Sequence, residues 1–162
     1  MSNVVMTRVD ARLIHGQVAT VWTNQLNITR ILVIDDLAAV DDIQKIALKM
    51  ACPSSSRLSI LNAERAVQRL NENAYDKDRL MIIMRGPATA RKVLDLGYFM
   101  PTINVGNISN KIGSTRIKHT VCVTPQEAED FRYIESKGVK VTIQMLPQDE
   151  KLDFMPMIAN IH

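Results

Sequence analysis

The sequence has little cysteine, few aromatic residues, no long apolar run and only a small surplus of positive charge. Each shortage closes off a class of protein. Two cysteines in 162 residues, Cys52 and Cys122, stand far apart, in neither a CxxC pair nor a Cys/His cluster. That spacing excludes zinc ribbons, iron–sulfur clusters and thioredoxin-type redox chemistry. Hydrophobic residues make up 46% of the chain, so it can bury its own core without disulfides, and a reduced cytoplasmic setting is expected. Three Tyr, three Phe and one Trp offer no base-stacking platform. Lys+Arg number 20 against 17 Asp+Glu, and the acids are interspersed; no nucleic-acid partner is expected. The aliphatic runs Ile31 to Ile34 and Leu80 to Met84 fall far short of the ~20 residues of a membrane span and suit buried strands. The opening Met1-Ser2-Asn3, followed by a short apolar stretch broken at Arg8 and Asp10, lacks the basic and long apolar regions of an export signal. The patterns GxxxxGK[ST], GxGxxG and GxSxG are absent too, which disfavours a P-loop, a dinucleotide fingerprint and a nucleophile elbow.

What is present is an alternation of short aliphatic runs with segments of helical period, undivided by any linker or repeat. It predicts one α/β domain over residues 1–162, with a mainly parallel central sheet and helices on both faces. Strands are expected at 3–9, 30–34, 58–61, 80–84, 102–105, 118–123 and 139–143. In the first helix, from about Gly16, Val18, Val21, Trp22 and Leu26 form an apolar stripe facing the sheet; in the second, Ile43, Ile46, Ala47 and Met50 repeat the spacing. Asn62 and Thr124-Pro125-Gln126-Glu127 are helix starts, as is Gly86-Pro87. Residues 145–162 carry two prolines and form either a tail laid over the body or a partner-binding segment.

Ligands of such sheets bind beyond the carboxyl ends of the strands, and the first strand runs into Arg8-Val9-Asp10-Ala11-Arg12-Leu13-Ile14-His15-Gly16-Gln17-Val18. Two guanidinium groups and one carboxylate precede a histidine placed beside a helix N-terminus, where unpaired N–H groups attract an anion. Metal binding fits poorly, because His119 and His162 have no ligand spacing to His15. Phosphoryl transfer fits best: Arg8 and Arg12 keep the imidazole neutral and nucleophilic and take phosphoryl oxygens, while Asp10 holds a ring nitrogen. Neither metal nor cofactor is required. Gly16 and Gln17 in the first helical turn, Asn104 and Gly106 after a later strand, and Asp35 at the end of the second strand are further candidates for the phosphate pocket.

RVDARLIHGQV, from Arg8 to Val18, resembles the active-site segment of the IIB component of the sugar phosphotransferase system, in its mannose/fructose/sorbose family. Trp22, Val33-Ile34-Asp35-Asp36, Ile103-Asn104-Val105-Gly106-Asn107, Gly138-Val139, Ile143-Gln144 and Pro147 extend the resemblance in order. It implies an enzyme, a phosphohistidine-sugar phosphotransferase component. His15 would accept a phosphoryl group from phospho-IIA and pass it to a sugar entering through the membrane components IIC and IID, which would hold the protein peripherally at the membrane. It also implies that Arg8 and Arg12 neutralise phosphate. No IIA-like segment precedes Met1, so a free-standing IIB subunit is expected. Mannose, fructose, sorbose and amino sugars are all compatible, as are a monomer and a homo-oligomer. The competing reading is a non-catalytic α/β binding or signalling module that recognises a phosphorylated ligand.

Overall fold

Each aliphatic run becomes a strand whose side chains sort by parity. The computed structural model describes residues 3–162; Met1 and Ser2, which open the segment read above for an export signal, lie outside them. The strands are β1 (Val4–Asp10), β2 (Arg30–Ile34), β3 (Arg57–Leu61), β4 (Leu80–Met84), β5 (Thr102–Asn107), β6 (Thr115–Lys118), β7 (Val121–Val123), β8 (Lys140–Ile143) and β9 (Leu152–Asp153). The helices are α1 (Gly16–Leu26), α2 (Asp42–Ala51), α3 (Ala63–Asn71), α4 (Pro87–Asp95) and α5 (Pro125–Ser136). Seven strands form one sheet in the order β3-β2-β4-β1-β5-β8-β9. All its pairings are parallel except the last, β8 with β9.

In β2, Ile31 and Val33 face α1 and α2, whereas Leu32 and Ile34 face α3, α4 and α5; β4 divides in the same way, with Met81 and Ile83 on the first side and Leu80, Ile82 and Met84 on the second. This is the period-2 consequence of the pleat, with both faces covered as a parallel sheet requires. Helix starts follow the expected chemistry. Asn62 Oδ1 accepts from the Arg65 N–H at 2.8 Å, Gly86-Pro87 opens α4, and Thr124 and Glu127 form a reciprocal capping box on α5.

Three expectations need correction. Residues 118–123 are not one strand but part of an antiparallel hairpin, β6 and β7, turning at His119-Thr120. In α1 the buried face is Val18, Ala19, Trp22 and Thr23, while Val21 is partly exposed. In α2 only Leu48 is buried; Ile43, Ile46 and Met50 face outwards, because the helix meets the sheet along its other side. Residues 145–162 are laid over the body. Phe154, Ile158 and Ile161 are buried in the core, and the Arg132 guanidinium donates to the carbonyls of Ile158 and Ile161. Among the described residues no helix is long and apolar enough to cross a membrane.

Candidate functional site

β1 lies between β4 and β5, and its carboxyl end delivers the 8–15 loop to the edge of the sheet where α1 begins. The loop turns sharply: the Leu13 N–H donates to the Asp10 carbonyl at 2.9 Å, and buried Leu13 has φ 58°, a left-handed conformation unusual for a residue with a Cβ. That turn leads to His15, which is exposed and stands as the N-cap of α1 in extended conformation, its carbonyl accepting from the Ala19 N–H. No side chain caps α1, and its first turn carries no acid. The first N–H groups, on Gly16 and Gln17, therefore retain their attraction for an anion beside the imidazole.

Asp10 is 1% exposed, and its carboxylate organises Arg12. Oδ1 accepts from the Arg12 backbone N–H at 2.9 Å and from Nε at 3.2 Å, and Oδ2 accepts from Nη2 at 3.2 Å. Asp10 thus holds the guanidinium in a two-point grip rather than orienting the imidazole, which corrects the expectation drawn from the sequence. Arg12 keeps about a third of its side chain in solvent, and its Nη1 is uncommitted among the described residues.

Arg8 has a different role from the one expected. It is 1% exposed, among the largest fully buried side chains. Nη1 donates to Asn104 Oδ1 at 2.7 Å and to the Gln144 carbonyl at 3.0 Å, and Nη2 donates to the Met145 carbonyl at 3.0 Å. Asp10 lies 3.7 Å from Nη2, and the Trp22 ring centroid is 5.5 Å from Cζ. Burial draws the Arg8 pKa down to about 10, against the opposing pull of Asp10, so the group stays cationic at neutral pH. Arg8 is a positive charge beneath the loop, held by protein acceptors. It accounts for two other candidates as well: Asn104 spends its oxygen on Arg8, and Gly106 provides the bare backbone against which the guanidinium rests.

Asp35 is also committed elsewhere. Its oxygens accept from Arg85 Nε at 3.1 Å and Nη2 at 2.9 Å and from the Ala38 N–H at 3.0 Å. Arg85, whose pKa this hydrogen bonding raises, was not singled out from the sequence. Neither were the carbonyls of Gln144 and Met145, which leave no side-chain signature. Asp35, Arg85 and the start of α4 instead line an open cavity of about 490 Å³ that reaches Ala11 of the loop. His15 itself stands at the uncapped amide donors of α1, and the loop that leads to it carries the Arg12 guanidinium; such donors suit an anion.

Residues 4–162 match the family model described as the sorbose subfamily IIB component of the PTS. An N-acetylgalactosamine-specific phosphotransferase enzyme IIB component 1 of Escherichia coli K12 is 33% identical over 92% of this chain and 94% of its own length. The mannose-specific EIIAB component of the same organism is 29% identical over 96% of this chain, which spans only 48% of that relative. The chain therefore covers about half the length of some curated relatives. Among solved structures, the IIBSor domain of the Klebsiella pneumoniae sorbose permease superposes with a TM-score of 0.90 at 26% identity, covering 96% of this chain and 95% of that one.

Proposed function

Because the chain belongs to the sorbose-subfamily IIB components of the sugar phosphotransferase system, we propose that it carries a phosphoryl group on His15 between a IIA donor and a sugar bound by the membrane components IIC and IID, from the cytoplasmic side. The observation that supports this most directly is the exposed His15 at an uncapped helix N-terminus, three residues after an Arg12 fixed by Asp10.

In the first step the neutral His15 imidazole attacks the phosphorus of a donor phosphohistidine in line. A P–N bond forms to His15 as the P–N bond to the donor breaks. The donor ring, protonated on its far nitrogen, leaves as neutral imidazole, and the N–H already on His15 becomes the far-nitrogen proton of the new phosphohistidine. No proton has to move between partners, so the catalytic burden falls on positioning and charge. Arg12 and the α1 amides take the phosphoryl oxygens, while Arg8 contributes from below as a fixed cation and holds the loop in place. In the second step a sugar hydroxyl oxygen attacks the phosphorus: a P–O bond forms as the P–N bond breaks, His15 leaves as neutral imidazole with its N–H retained, and the hydroxyl proton is released to water.

The test is intact-protein mass after incubation with phosphoenolpyruvate, the two general phosphotransferase proteins and a IIA protein of the mannose family, with His15→Ala in parallel. One acid-labile phosphoryl group, absent from the variant, is the expected result. If donors that are demonstrably phosphorylated leave the wild type unmodified, the carrier reading fails and a phosphate-binding module remains.

A further inference from the structure

Five of the nine large exposed hydrophobic side chains among the described residues fall within residues 37–50: Leu37, Val40, Ile43, Ile46 and Met50, each between 61% and 82% exposed. Scattered apolar residues on a surface need no explanation, but a contiguous set on one helix and its lead-in does. The spacing 43, 46, 50 is that of an apolar helix face, and here the face points away from the core that Leu48 enters.

Both ends of this face abut the His15 loop. Leu37 lines the same cavity as Ala11. At the other end the Ala51 carbonyl lies 4.0 Å from where a Cβ on Gly16 would stand. Alongside, Lys45, Lys49 and Arg57 line a second cavity, of about 570 Å³, that has no carboxylate in its lining. The surface is thus apolar, with cations along its α2 side, the exposed carboxylates of Asp36 and Asp42 on its lead-in, and one end against the start of α1.

We infer that this α2 face is the docking surface for the phosphoryl donor, and that the donor meets it with an apolar patch that sets carboxylates against Lys45, Lys49 and Arg57. The inference rests on the reading of His15 as a phosphoryl carrier. Any donor must bring a phosphohistidine onto His15, so its footprint includes the adjacent surface, and this face gathers five of the nine large exposed apolar side chains among the described residues. A contact of this kind belongs to the small, transient class, below ~1,200 Å² in total, in which a few apolar anchors set affinity and charge sets the encounter rate.

The test uses the full chain carrying Ile43→Glu with Met50→Glu, both at exposed positions, and a purified phospho-IIA protein of the mannose family. Phosphoramidate, a small donor that needs no docking surface, serves as the control. The expected result is a rise of about ten-fold or more in the apparent KM for phospho-IIA, with the saturating rate and the phosphoramidate rate unchanged. A companion Lys45→Glu, Lys49→Glu variant slows association and flattens its salt dependence. Unchanged transfer from phospho-IIA in the apolar variant overturns the inference; sedimentation and vesicle binding then show whether a second copy or a lipid surface takes the face. Loss of the phosphoramidate reaction also overturns it, because the face then acts on the loop rather than on the donor. Wild-type protein that both donors leave unmodified refutes the carrier reading instead, a result distinct from either.

Discussion

The Arg8 guanidinium occupies the space that a side chain at position 106 would need: a Cβ built on Gly106 would lie 1.9 Å from Nη2 and 2.1 Å from Cζ. Gly106 is not one of the positive-φ glycines, so room and not backbone conformation dictates the residue. Gly106→Ala should displace Arg8 from its acceptors and cost about 3 kcal/mol or more in urea denaturation. Combined with Arg8→Met, the alanine should add little further loss, since the group it collides with is gone. A strictly additive pair would show that the two residues are not coupled.

Arg8 and Arg12 should separate cleanly. Arg8→Met leaves Asn104 Oδ1 and the Gln144 carbonyl without this donor, takes one of two donors from the Met145 carbonyl and removes the cation beside Asp10, a loss of about 3–5 kcal/mol in stability. Arg12→Ala should cost less, about 1–2 kcal/mol, because the guanidinium is partly in solvent although the Asp10 carboxylate it leaves is buried, while slowing phosphoryl acceptance about 100-fold or more. Denaturation curves together with single-turnover transfer rates test this; equal effects of the two variants on both quantities would refute the division of labour.

Asp10→Asn keeps an oxygen for the Arg12 backbone N–H but loses the charge that grips Nε and Nη2 and offsets Arg8. A stability loss of about 2 kcal/mol is expected, from charge-assisted hydrogen bonds at a buried site. Transfer should slow while donor affinity is retained, since Asp10 lies beneath the surface. A rise in the donor KM at unchanged saturating rate would contradict that placement.

Asp36 supplies the pH prediction. Lys92, and then the Ala63 N–H at the start of α3, hold its carboxyl below the usual value of 3.8. A carboxyl lowered by folding stabilises the protein above its unfolded pKa, and that contribution is lost as pH falls below about 4 toward the folded value. Wild type should therefore lose more stability than Asp36→Asn between pH 5 and pH 3. The difference should shrink in molar salt, because the ion pair is exposed. Parallel pH curves for the two proteins would remove Asp36 from the account.

The sheet was legible because β2 and β4 are built on the short apolar runs Ile31 to Ile34 and Leu80 to Met84, and because Asn62, Gly86-Pro87 and Thr124 through Glu127 carry explicit helix-start chemistry. The β6–β7 turn was not, since nothing local distinguishes His119-Thr120 within a short strand pattern from a continuation of it. The outward face of α2 was misread for a general reason: a 3.6 period identifies an apolar face without saying whether the sheet or another molecule receives it. At the site, the alternation of a strand puts Arg8 and Asp10 on the same side of β1, where Arg8 Nη2 lies 3.7 Å from Asp10 Oδ2. Burial of Arg8 was invisible because it depends on carbonyls up to 137 residues along the chain, which any residue type supplies.

The Met145 carbonyl accepts from both Arg8 Nη2 and Trp22 Nε1, at 3.0 and 2.9 Å. A carbonyl has two lone pairs, and here each holds a donor from a different layer, one from the sheet and one from α1. Residue 145 is therefore a rivet: lifting it outwards would strip Arg8 of β1 and the indole of the first helix of an acceptor at the same moment, so the chain after β8 is pinned at a single atom to both elements that flank the His15 loop.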